Sequence, residues 1–346
     1  MTNINPLVSN GVRLMQRISM APMIARHHLR TIIPKNKSVL GFSLMDKPTT
    51  IKDYLLQVDS NVYMLRSPER ATITSSGVVR VGHQYLSLDY GPYSAFRLSN
   101  IDLPFRSRHL NSVLPLWSHP WTSYYHWLID IAPKIAEAKR YLGAAFSDLM
   151  FLYPGQLRKY EQQTVEALGV SATRLVNLRE VGSVTADNIY VLPLPGYVEI
   201  HPGVDSLRMQ LGVTARPMRR IYMSRQAHVR KVENEDALFN LLEKYGFEFI
   251  PDVPRSIADQ VKLYSEASHI VAPHGAGLSN IIWCSSSTSI LELANSQYHP
   301  DFFQKLAGRY EMPYRKLVFG TGKDNWSSLA VNYSVDLNMV KRFLSE

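Results

Sequence analysis

At 346 residues the chain exceeds one typical hydrophobic core, so two domains are expected. With 45% hydrophobic and 19% charged residues it can bury sizeable cores, and no run approaches the ~20 apolar residues that span a bilayer. One cysteine, Cys284, excludes an intrachain disulfide, and the formal charge of +9 suits nucleic acid, an anionic membrane face or phosphorylated ligands. The basic residues form no long lysine-rich arm, which speaks against nucleic acid. The opening MTNINPLVSN lacks the basic and apolar regions of a secretory signal, and with a single cysteine this points to the cytoplasm.

In chain order, residues 12–33 mix Leu14, Met15, Ile18, Met23, Ile24 and Leu29 with Arg13, Arg17, Arg26 and Arg30. Pro22 interrupts the run and the cations fall on more than one face, so it reads as a surface helix. Peripheral contact with the inner membrane face is the alternative. From about 47 to 103, short β-branched and aromatic runs separated by Ser, Asn, Gly and Pro read as strands. A helix is predicted over 123–142, capped by Ser123, stopped by Gly143 and kinked by Pro133, which removes the bond to the carbonyl of Ile129. A strand at LMFLYP, a helix at KYEQQTVEALGV and a strand at NIYVLPLP follow, and LPLPGYVEIHPG is the best linker.

Beyond Arg219 the pattern is regular. RRIYMSR is a strand, and Asn234 caps a helix carrying Glu235 and Asp236 in its first turn. FEFI is a strand, and Ser256 with Asp259 starts another helix. HIVAP is a buried strand, HGAG a turn, LSNIIWC a helix and SILELA a strand. Such alternation predicts a doubly wound parallel sheet of nucleotide-binding type.

In such a sheet ligands bind beyond the carboxyl ends of the strands. Ser224 and Arg225 close one predicted strand, His274-Gly275-Ala276-Gly277 follows another, and Glu292 ends a third. The glycines admit close backbone approach, and the following helix start offers N–H groups to a diphosphate. Arg225 can clamp phosphate oxygens bidentately, and Glu292 can accept from a ribose diol. Each residue alone has a bland reading: a tight connection, a surface cation, a solvated strand end. Their arrival on successive strand ends favours a site. GAGLSN is not the dinucleotide fingerprint, because the third glycine is missing. In the first half, His126 and Asp130 share a helix face beside the apolar pair Trp127 and Ile131. They read as a general base with its carboxylate neighbour, or as a buried packing pair. Tyr124 and Tyr125 read as packing or as a sugar-stacking surface.

YYHWLIDIAPK, YMSRQAHVRKVENED and the DQV…ASHIVAPHGAGLSNIIWC…LEL series resemble the three signature regions of glycosyltransferase family 61, over about 124–293. That family contains bacterial capsule and surface-polysaccharide enzymes, plant xylosyl- and arabinosyltransferases and eukaryotic protein O-GlcNAc-type transferases. The resemblance implies an α/β, GT-B-like fold: two Rossmann-type domains facing a cleft, with an extra β-rich N-terminal segment. Residues 1–199 then form the acceptor side. Residues 200–346 bind the nucleotide sugar, and the C-terminal helix is in reach of the first domain. It also implies an inverting mechanism, a nucleotide-sugar donor of UDP type and no obligatory metal. By position, His126 and Asp130 match the acceptor-side motif, and Ser224, Arg225, Arg230 and Asn234 the second region. His274, Gly275, Ala276, Gly277, Asn280 and Glu292 match the donor site. One departure is SSSTSI at 285–290, where members usually carry glycine.

The expected reaction is a single displacement in surface-polysaccharide synthesis, with a glycan or lipid-linked glycan as acceptor. Asp130 is placed ahead of His126 as base, because a carboxylate is already deprotonated at neutral pH. The rivals are a GT-B-shaped nucleotide-sugar epimerase, a non-catalytic polysaccharide-assembly partner and a dinucleotide oxidoreductase.

Overall fold

The computed structural model describes residues 107–116, 123–192, 200–321 and 331–345, with 71–75, 77 and short strands at 55–59, 62–66, 79–81 and 84–86. The basic segment 12–33 and most of the expected linker, 193–199, lie outside them.

The described residues form two sheets. The first contains β1 (Leu55–Asp59), β2 (Val62–Arg66), β3 (Thr72–Ile73), β4 (Val79–Val81), β5 (Gln84–Leu86), β6 (Ser107–Pro115), β7 (Met150–Tyr153), β8 (Leu175–Asn177) and β9 (Ser183–Val191). Its order is β5-β4-β3-β9-β6-β7-β8, and β2, paired with β1, shares the outer edge of β9 with β3. From β9 to β8 the pairs are parallel, whereas β1 to β5 join antiparallel. A Rossmann-like half therefore carries the β-rich extension that the sequence predicted.

The second sheet contains β10 (Arg219–Met223), β11 (Phe247–Ile250), β12 (Ala267–Pro273), β13 (Ser289–Asn295) and β14 (Tyr314–Phe319). All its pairs are parallel, in the order β11-β10-β12-β13-β14. With layers on both faces, its central strands must be apolar throughout, and the last four residues of β12 are buried.

The helix predicted over 123–142 is a composite. Ser123 caps a first turn, Tyr124–His126, through a bond from the His126 amide to Ser123 Oγ at 3.4 Å. A π-segment, Trp127–Ile131, follows with every residue buried, and then α1 (Ala132–Leu142), with Pro133 in its first turn. Pro133 has no N–H for the carbonyl of Ile129, and the wide π turn absorbs the mismatch where a simple kink was expected. Burial of Trp127 and its neighbours fixes the segment; truncating a buried Trp costs about 3–5 kcal/mol.

The further helices are α2 (Lys159–Ala167), α3 (Leu178–Val181), α4 (Val204–Leu211), α5 (Glu235–Glu243), α6 (Ile257–Ser265), α7 (Phe302–Arg309) and α8 (Leu337–Ser345). α4 docks on α1 so closely that a Cβ at Gly203 would lie 2.5 Å from the Pro133 carbonyl oxygen. One core runs between the sheets: Leu114, Trp127, Ile135 and Phe151 from the first layer join Ile221, Ile270, Leu278 and Ile290 from the second. A separate cluster on the far face of the second sheet packs Tyr222, Leu238 and Leu291 with Val335 and Val340. α8 therefore lies against α5. Among the described residues no helix is long and apolar enough to cross a membrane.

Candidate active site

In the strand order of the second sheet, successive connections leave β10 in opposite directions: to β11 on one side and, across the sheet, to β12 on the other. The crevice at the carboxyl ends of β10 and β12 is thus a topological switch point, where open α/β sheets bind ligands. Ser224 and Arg225 leave β10 there, and His274-Gly275 leaves β12 beside them.

The loop after β12 is built to bring cations and amides together. Gly275 is extended, so any residue fits its backbone. A Cβ, however, would overlap the guanidinium of Arg225, which lies against this position. Arg225 Nε donates to the Val229 carbonyl at 2.8 Å, orienting the group. Its pKa is pushed down to about 10 by burial and by the neighbouring Arg230. Arg230, at a positive φ of 64°, stacks its guanidinium 4.9 Å over the Tyr298 ring, and burial lowers its pKa. Two half-buried guanidinia side by side disfavour one another and favour an anion between or before them. The helix expected after the HGAG turn is a 3-10 helix over Ala276–Trp283. Its first bond runs from the Leu278 amide to the Gly275 carbonyl at 2.9 Å, so the amides of Ala276 and Gly277 precede the ladder. A Cβ at Gly277 would meet nothing within 4 Å, so the chain here borders open space.

His274 is buried, with Nδ1 held by Glu292 Oε1. Its ring touches Tyr298 and Phe303, each with centroids at 5.2 Å. Burial lowers its pKa; Glu292 opposes this, while Arg230 and Lys316 reinforce it. The ring is therefore neutral near pH 7, with the proton on Nδ1 facing the carboxylate.

Glu292 is not where the sequence placed it. It lies in the middle of β13, level with Ala272 of β12, and is 0% exposed. Its oxygens take His274 and the Tyr314 hydroxyl, with Lys316 Nζ at 3.6 Å from Oε2. A carboxylate so engaged fixes His274 and does not stand open to a ribose, which corrects the diol reading.

Four other candidates hold the frame. Asn280 is buried with both amide atoms engaged. Oδ1 accepts from Tyr124 Oη at 2.7 Å and Trp283 Nε1 at 3.1 Å, and Nδ2 donates to Gln260 Oε1 at 2.9 Å and the Gly277 carbonyl at 3.1 Å. Asn280 thus ties the turn after β12 to the first layer. Asn234 has no side-chain cap bond; its amide pairs with the Val335 backbone, 2.9 Å each way, and staples the C-terminal segment. Ser224 donates to Glu235 Oε2 at 3.1 Å, and the buried Glu235 also accepts from Tyr222. The dipole role expected of Glu235 is joined by this bracket. Ala276 is half-buried and contributes backbone.

From the first layer, His126 Nδ1 meets Asp130 Oδ2 at 2.6 Å, with Asp130 only 3% exposed and His126 partly exposed. The rings connect this pair to the other side: Tyr125 touches His126 at 5.3 Å and Phe303 at 5.9 Å, and Phe303 touches His274. Tyr124 and Tyr125 are packing residues of that seam.

Residues 124–291 match the family model described as Glycosyltransferase 61. That match places the chain in glycosyltransferase family 61. No curated protein matches the chain. The family region opens at Tyr124, on the composite helix, and takes in the whole loop after β12. Membership implies glycosyltransferase activity.

Sequence reading missed Tyr314, Lys316, Tyr298 and Phe303. The first two stand at i and i+2 on β14, in register with Ile290 and Glu292. The alternation in YRKLVF was the available signal, but no strand was expected there. Tyr298 and Phe303 carry no local signal, because their role comes from rings converging across loops. Among the described residues no group of three or more His, Cys, Asp or Glu can hold a metal ion.

Proposed function

We propose that this family 61 member is an inverting glycosyltransferase with a GT-B arrangement, using a nucleotide sugar, of UDP type, and a glycan or lipid-linked glycan acceptor in surface-polysaccharide synthesis. The observation that carries the donor reading is the Arg225 guanidinium lying against Gly275, beside Arg230 and the amides of Ala276 and Gly277. This cluster suits a diphosphate. Its two cations offset the charge that develops as the sugar–phosphate bond breaks, in place of a metal.

The acceptor oxygen attacks the anomeric carbon, the bond to the diphosphate oxygen breaks, and the acceptor proton passes to a base on the opposite side. The geometry supports the opposite order from the one expected from sequence: Asp130 is enclosed and bonded to His126, so His126 is proposed as the base and Asp130 as the group that holds its ring. His274, neutral and fixed through Nδ1, has Arg230 of the cluster as a charged neighbour.

The test is incubation with UDP-sugars and oligosaccharide acceptors in the presence of EDTA, with the anomeric configuration of the product read by NMR. An inverted glycoside supports the reading. Isomerised nucleotide sugar without an acceptor would establish the epimerase instead, and loss of activity restored by manganese would remove metal independence.

A further inference from the structure

At the end of the second sheet remote from the candidate site, α4 and the loop joining it to β10 present an unusual surface. Met209 and Met218 are each 68% exposed and Val213 51%. They are among eight large hydrophobics exposed among the described residues, and these three fall within ten positions of one another. The loop is held at both ends, by the Gly212 amide on the Arg208 carbonyl at 2.8 Å and the Met218 amide on the Glu266 carbonyl at 2.9 Å. The apolar side chains are thus displayed from anchored backbone. Behind the loop lies a recess of about 580 Å³ that reaches Trp283 and Tyr310.

Around these tips the acidic groups are paired with cations. Arg216 is exposed between Val213 and Met218. No Asp or Glu occurs between Asp205 and Glu233. Asp205 itself is taken by Arg309 and Tyr310, and Glu266 by Arg219. Apolar tips interleaved with an exposed arginine match a surface with an apolar interior and anionic headgroups. A second copy would set Arg216 against its own equivalent if it docked face to face, and the segment 12–33 is itself basic, so charge opposes both as occupants.

We propose that Met209, Val213, Arg216 and Met218 form a docking surface for an anionic lipid bilayer, separate from the candidate active site. Met218 directly precedes β10 and Arg225 follows it, so about 16 Å of strand divides lipid contact from donor site. The two functions are therefore separable by mutation.

The experiment is sedimentation of the full chain with phosphatidylglycerol vesicles and with pure phosphatidylcholine vesicles. Binding should be confined to the anionic vesicles and weaken with salt. The combined variant Met209→Ser, Val213→Ser, Met218→Ser should bind on the order of tenfold or more weakly. Its melting temperature and its stabilisation by UDP should match those of the parent. A Met218→Trp variant should show quenching by brominated lipid beyond that of the parent. Unchanged sedimentation of the triple variant, no added quenching in the Met218→Trp variant, or conversion of a dimer into a monomer by the substitutions would each overturn the proposal. Loss of UDP binding alone would bear on the donor site and leave the lipid result standing.

Discussion

Two histidine–carboxylate pairs, linked across the seam between the layers by the rings of Tyr125 and Phe303, are made from the same atoms in different ways. His126 and Asp130 are four residues apart on one helical segment; His274 and Glu292 are eighteen apart and joined through neighbouring strands. In both, Nδ1 meets a buried carboxylate. Their neighbours differ. The ring beside His126 is Tyr125, whereas His274 lies among Arg230, Lys316 and Tyr298. A carboxylate-held imidazole among cations is disfavoured as an imidazolium and suited to a site that receives an anion. In the proposed reaction His126 instead takes the proton of the acceptor, so the two dyads divide the labour.

The largest expected effect comes from breaking the first pair. His126→Ala and Asp130→Asn should each lower turnover on the order of 10³-fold, since base catalysis contributes roughly 10²–10⁴. Affinity for UDP, measured by calorimetry, should stay within about twofold. If melting temperature falls in step with activity, or UDP affinity falls equally, the pair is a packing element and the contrast collapses.

Arg225→Lys sharpens the donor half. The charge is kept, but bidentate geometry is lost, so transfer should slow on the order of a hundredfold, a few kcal/mol at the barrier. Steady-state rates within about twofold of the parent would make Arg225 a surface cation. A smaller effect is expected from Gly275→Ala, whose methyl group displaces that same guanidinium; UDP should bind roughly tenfold more weakly, a cost of about 1.4 kcal/mol. Gly277→Ala borders open space and should fold as the parent does, so its UDP affinity reports whether the ligand occupies that space.

These contrasts follow what was legible in the sequence. The second sheet could be read because its strands and helices alternate at short spacing, and HIVAP followed by HGAG marks a strand end and a turn. The His126–Asp130 contact could be read from a helical interval. The π-segment could not, because its trigger, Pro133, also predicts an ordinary kink. Glu292 was placed too near a strand end: the apolar run SILELA does not reveal which neighbour sets the crevice level. Asn234 looked like a cap, and its engagement with Val335 depends on a segment about one hundred residues away. Tertiary partners of polar side chains leave no periodic trace.

The smallest effect tests the second pair through pH. His274 has its pKa lowered in the folded protein, first by burial. The unfolded chain then binds more protons below the ordinary histidine value of about 6.5, so folding stability must fall as pH drops from 7 through that value, until the folded-state pKa is passed. One such group contributes at most about 1.4 kcal/mol per pH unit. His269, lowered by burial and by Arg220, adds a slope of the same sign. Thermal unfolding followed between pH 7 and 5.5 should therefore show a declining melting temperature. In His274→Asn the decline should be shallower, whatever the absolute stability of the variant, because the titrating group is gone while that of His269 remains. UDP at saturation should also flatten the parent's decline: a bound diphosphate supplies negative charge next to the ring and favours the imidazolium, raising the folded-state pKa. Parallel curves for parent and variant would mean that His274 does not carry the pH dependence. A decline that UDP leaves unchanged would place the diphosphate away from His274 and dissolve the distinction between the two pairs.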